Sequence, residues 1–81
     1  MTRQDIFKAV QEIFRDVFDD EELMIKDETN ADDIEDWDSF EHISLIIAME
    51  AEFSMKFDIK EVNKLGNVGQ MIDLIKRKMD E

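Results

Sequence analysis

Ser39 is the side chain with the clearest chemical opportunity. It stands in the run Trp37-Asp38-Ser39-Phe40, between a long acidic stretch and an apolar one. In plain structural terms, aspartate and serine before an apolar helical run form an N-cap. A hydroxyl in a first helical turn also lies beside unpaired backbone N–H groups, at the positive end of the helix dipole. That is a place where a phosphate ester can be held. The remaining chemistry is sparse. His42 is the single histidine. On the helical wheel it shares an arc with Met49 and Phe53, which suits a half-buried or edge position better than a general base. No Ser-His-Asp arrangement follows from the spacing. Acids are abundant but sit in a charge-rich stretch, without the contrasting environments that a catalytic carboxylate pair needs. The chain has no cysteine, which excludes disulfides, thiolate metal sites and a thiol nucleophile of its own. No catalytic residue and no enzyme acting alone is expected.

Metal binding is the natural rival for a small acidic chain. An EF-hand loop needs oxygen ligands at its first, third and fifth positions, glycine at the sixth and glutamate at the twelfth. Starting at Asp27 the fifth position is Ala31, starting at Asp32 the third is Ile34, and starting at Asp33 the fifth is Trp37. No glycine precedes Gly66. No dedicated metal site is expected, although loose divalent binding would relieve repulsion. The net charge of −12 is uneven. Residues 19–55 hold fourteen acids against Lys26, a net −13, while the two flanking parts are nearly neutral. Nucleic acid would be repelled. A solvated acidic loop and a surface that steers toward basic partners both fit. The longest apolar run, Leu45 to Met49, is far too short to span a membrane. The first residues carry no leader pattern, so the expected address is the cytoplasm.

Four helices would have to position Ser39. Residues 2–18 carry Ile6, Phe7, Val10, Ile13, Phe14, Val17 and Phe18 on one stripe, behind a Thr2–Asp5 capping box. Residues 19–38 show no sustained period. Leu23, Met24, Ile25, Ile34 and Trp37 are the expected anchors of this long loop. A second helix from Ser39 to Phe53 is apolar on two sides. Leu45, Ile46, Met49 and Phe53 share one arc, and Phe40, Ile43 and Ile47 lie roughly opposite. Such a helix is either buried between neighbours or keeps one stripe exposed for docking, and both can hold along its length. A short third helix over 58–64 would use Asp58 and Glu61 as a capping pair, Ile59, Val62 and Leu65 as contacts and Gly66 as its terminator. Asn67 and Gln70 mark the start of a last helix with Val68, Met71, Ile72, Leu74, Ile75 and Met79 on its apolar face. Lys76, Arg77 and Lys78 suit its C-terminal end. The expected fold class is all-α: a small four-helix bundle with three main helices, a short third helix and a long first loop, in a single domain over 1–81.

These residues in this order resemble the acyl carrier protein family. The likeness runs through Asp38-Ser39-Phe40, then Ile43, Leu45, Ile46, Ala48, Met49, Glu50, Glu52 and Phe53, and on through Phe57, Asp58, Glu61, Leu65, Val68, Ile72, Asp73 and Ile75. It covers nearly the whole chain without a gap from Asp38 to Ile75. The resemblance implies that Ser39 is esterified by 4′-phosphopantetheine, donated from coenzyme A with magnesium by a separate phosphopantetheinyl transferase. The missing thiol would then come from the cofactor, which carries acyl, aminoacyl or hydroxyacyl groups as thioesters. Asp38 would cap the helix or engage the transferase. Asp36, Trp37, Phe40, Glu41, Ile43, Ile47 and Glu50 would form the face read by acyl-loading and acyl-processing enzymes with basic docking surfaces. The implied setting is fatty acid, polyketide or related biosynthesis, with the protein a cytoplasmic monomer. Phe40 replaces the family's usual leucine, and Trp37 resembles free-standing carriers of specialised pathways. The alternative is an acidic helical interaction module with the carrier fold and no prosthetic group.

Overall fold

The computed structural model describes residues 2–80. Four helices follow in order: α1 (Arg3–Val17), α2 (Ser39–Phe53), α3 (Ile59–Asn63) and α4 (Val68–Asp80). No strand occurs among the described residues. The protein is all-α, with three long helices and one short one, as the periodicities predict.

Local chemistry starts these helices where the sequence places the signals. The Thr2 hydroxyl accepts from the Asp5 N–H, and the Asp5 carboxylate accepts from the Thr2 N–H. Asp58 and Glu61 repeat the reciprocal pattern at α3, and the Asn67 side chain accepts from the Gln70 N–H at 2.9 Å. Each arrangement satisfies donors that the first turn leaves without an intrahelical partner. After α2, Ser54 takes a left-handed conformation at φ 52° and its N–H closes on the Glu50 carbonyl. Gly66 departs from the expected role. Neither glycine has a positive φ, and α3 stops at Asn63 with Lys64 as its cap. The Gly66 N–H instead donates to the Gln70 side chain at 2.6 Å.

α1 packs against both α2 and α4. Ile6, Val10 and Phe14 are fully buried between Leu45 and Met49 of α2 and Val68, Ile72 and Ile75 of α4. The long loop is tied down from both sides. Arg15 of α1 donates to the Leu23 carbonyl at 2.8 Å, and Gln11 accepts from the Ile25 N–H. The Asp27 and Thr29 carbonyls accept from the Gly69 and Val68 N–H groups, both at 2.9 Å, which caps α4 with loop backbone. Gly69 permits that approach: a Cβ there would meet the Asp27 carbonyl oxygen at 3.1 Å. Arg3 adds ion pairs to Asp27 and Asp73. Ile25 and Trp37 are buried, and Leu23 and Ile34 pack on the core. Met24 is 76% exposed, so it is not an anchor. In α3 only Val62 is buried, while Ile59, expected as a contact, faces solvent. Val62 and, just beyond the helix, Leu65 are the apolar contacts that hold α3 on the core.

Lys76, Arg77 and Lys78 act structurally. Lys76 pairs with Asp80 one turn on. Arg77 and Lys78 both reach Glu61 of α3, at 2.9 and 3.0 Å. The hydrogen bond from Lys78, joined by the Asp58 N–H, holds the Glu61 carboxyl below the usual carboxylate range.

Candidate functional site

Asp38 determines where α2 begins. Its backbone is extended, and its carboxylate accepts from the Glu41 N–H at 2.9 Å while its carbonyl accepts from the His42 N–H at 2.9 Å. Ser39 is thereby the first helical residue. Its side chain is exposed. The Ser39 and Phe40 N–H groups find no acceptor among the described residues, so two donors and the dipole's positive end remain open to an anion.

Ser39 stands on the rim of a groove of about 460 Å³. Asp38, His42 and Ile43 form the α2 wall, and Val62, Asn63, Leu65 and Gly66 form the opposite wall. Ala31 and Trp37 close the end nearest the loop. The lining mixes apolar side chains with a few polar groups, as small-molecule sites do. The Ser39 hydroxyl makes no hydrogen bond to a histidine or carboxylate among the described residues. His42 Nδ1 is already taken, accepting from the Trp37 indole N–H at 3.2 Å. A serine hydroxyl is a weak nucleophile unless a neighbouring base activates it, and none does so among the described residues.

The exposed stripe of α2 is real. Phe40 is 74% exposed, Ile43 52% and Ile47 60%, while Leu45, Ile46 and Met49 on the other side are buried. Along the helix the stripe extends roughly 10 Å from Phe40 to Ile47. Beside it, Asp36, Asp38 and Glu41 gather with Asp19 around one shallow hollow. The acids and the apolar stripe therefore meet at the same end of the molecule as Ser39. Two expected members of this face behave differently. Trp37 is only 8% exposed, because its ring stands edge-on to Phe14 with centroids 5.2 Å apart and tilts against Phe18. It belongs to the core and shows only an edge to the groove, outside the exposed stripe. Glu50 spends one carboxylate oxygen on the Phe57 N–H at 2.8 Å, which fixes the turn after α2.

The sequence reading missed His42 as a groove residue, together with the opposite wall of Val62 and Asn63. Spacing could have found His42, since residues three apart share a helix face. The opposite wall depends on where α3 docks, which no local pattern encodes. No group of three or more His, Asp or Glu side chains converges on a metal position among the described residues. None of the described helices is long and apolar enough to cross a membrane.

No protein-family model matches the chain. Individual relatives do. It is 32% identical over 81 residues to a protein of Petrotoga mobilis named acyl carrier protein, covering 99% of this chain and 94% of the relative. A Thermotoga maritima protein of the same name is 27% identical over 78 residues, 96% of each chain. Among solved structures, the solution NMR structure of holo acyl carrier protein from Geobacter metallireducens superposes with a TM-score of 0.86 at 41% identity, covering 93% of this chain and 86% of that one.

Proposed function

The chain belongs to the acyl carrier protein family, and from that premise we propose that Ser39 is the attachment residue for a 4′-phosphopantetheine arm. The observation that carries the proposal is the setting of Ser39: an exposed hydroxyl at the first position of α2, on the rim of a groove. The residues present suit such a group. A phosphodiester on Ser39 would meet the free N–H groups of Ser39 and Phe40, and a narrow chain could lie against Ile43, Val62 and Leu65. When bound, the arm supplies the terminal thiol on which acyl groups are carried as thioesters, which accounts for a carrier chain without cysteine.

The protein's own part is presentation. Asp38 holds the start of α2 in place and leaves the hydroxyl free. Separate enzymes supply the chemistry, beginning with a transferase that takes the arm from coenzyme A with magnesium. Phe40, Ile43 and Ile47 would make the apolar contact with such partners, and Asp36 and Glu41 would attract their basic surfaces. Glu50 would contribute charge at the far end of the stripe. The proposal extends to a single-domain monomer working in the cytoplasm, where coenzyme A and the transferase would meet it, and to acyl assembly as the pathway class. The test is incubation with coenzyme A, magnesium and a broad-specificity transferase, read by intact mass. The wild type gains one phosphopantetheinyl group and Ser39→Ala gains none while keeping its helical circular dichroism. An equal gain in Ser39→Ala would move the attachment to another residue.

A further inference from the structure

The groove contains a polar contact that joins the acidic loop to α2. The Trp37 indole N–H donates to Nδ1 of His42 at 3.2 Å. The two rings lie near-parallel, 22° apart, with centroids separated by 6.0 Å. An indole nitrogen can only donate. Nδ1 of His42 is therefore the accepting lone pair, and the neutral ring carries its proton on Nε2. That Nε2–H has no partner among the described residues, and no side-chain nitrogen or oxygen is buried without one. It therefore meets solvent. His42 lies three residues after Ser39, on the same face of α2, and both line the same groove.

An anion on Ser39 would sit beside the Asp38 carboxylate, at the edge of the acidic hollow. Among the described residues, Asp38 and His42 are the only titratable side chains in the groove lining. On the other packed elements, α1 and its C-cap meet Trp37 with Phe14 and Phe18. α3 offers Val62 and Asn63, and its Glu61 is turned to Arg77 and Lys78. His42 is thus the one groove side chain able to offer a positive charge to a negative group.

We infer that His42, with its tautomer set by Trp37, is a positioning residue for the prosthetic arm, its Nε2–H donating to a phosphodiester oxygen on Ser39. This rests on the reading that Ser39 bears the arm. Protonation of His42 consumes the Nδ1 lone pair and releases the indole, while the contact to the phosphodiester gains a charge. The phosphodiester ionises far below neutrality and has no titration of its own near neutral pH, so comparison with His42→Gln separates a response of the imidazole from one of the neighbouring carboxylates Asp36, Asp38 and Glu41.

The experiment is phosphorus NMR of the protein loaded from coenzyme A, recorded from about pH 5 to 8, beside the imidazole nitrogen shifts of His42. In the wild type the phosphodiester resonance moves with the same midpoint as His42, and the neutral ring shows the proton on Nε2. In His42→Gln, whose amide both accepts and donates but does not titrate, the phosphorus profile is flat. Trp37→Phe leaves the tautomer undetermined, and both forms appear. A flat wild-type profile, or an unchanged titration in His42→Gln, overturns the inference. So does a neutral wild-type ring with its proton on Nδ1, which can be read without the arm. Failure to gain the phosphopantetheinyl mass would instead overturn the reading of Ser39, and intact mass separates the two.

Discussion

Replacing Ile47 with serine should weaken partner encounters and leave the fold alone. Ile47 is 60% exposed. Full burial of such a side chain stabilises by about 1.5–3 kcal/mol, so covering the exposed part in a complex would contribute about 1–2 kcal/mol. That corresponds to a loss of roughly 5- to 30-fold in affinity. A surface change of this kind alters stability by no more than about 0.5 kcal/mol. Met49, two residues further along the same helix, is the contrast. It is 1% exposed, and Met49→Ala should cost about 2–5 kcal/mol of stability. The assay pairs kcat/KM for arm transfer, measured at limiting carrier, with the urea midpoint of each variant. The expected outcome is a lower kcat/KM at an unchanged midpoint for Ile47→Ser, and a lower midpoint for Met49→Ala. An unchanged kcat/KM would refute the docking role of the stripe. A large fall in the Ile47→Ser midpoint would refute its placement at the surface.

Asp38→Ala removes the α2 cap and should lower stability by about 0.5–2 kcal/mol, seen as a reduced urea midpoint. Neutralising Asp36 and Glu41 together should slow transferase association at low salt and matter little at high salt, measured by stopped-flow mixing. Glu50 is better left intact in that test, because its bond to the Phe57 N–H ties it to the fold. The Glu61 carboxyl lies below its ordinary range, chiefly through the hydrogen bond from Lys78. Its contribution is therefore fully present above the ordinary carboxylate pKa and lost as pH falls through the lowered folded value. Glu61→Gln should make the acid side of the stability profile shallower, as read by thermal melts across acidic pH; an identical acid limb would remove this clamp from the account.

What could be read from the sequence was whatever acts over a few residues. The Thr2–Asp5 and Asp58–Glu61 boxes are reciprocal contacts three residues apart, and both form as written. The stripes of α1 and α4 follow from helical geometry, and the Asp38 cap puts Ser39 at the start of α2. What could not be read depends on partners far away in the chain. Trp37 carries two expectations, loop anchor and docking face, and only Phe14 of α1 against its ring decides for the anchor. Gly69 has no visible purpose until the Asp27 carbonyl is seen to lie over the start of α4. Ile59 and Met24 have the same apolar character as true core residues, and only the docking of their segments leaves them outside. The two apolar sides of α2 could be read, but the choice between burial and exposure belonged to the packing of α1.

The most direct measurement is the intact mass of the protein purified from its native host, with the modified residue located by fragmentation. A carrier arriving with a phosphopantetheine arm on Ser39, bare or bearing cargo, is the predicted result. A polypeptide with no added mass, isolated alongside other carriers that bear theirs, would contradict it.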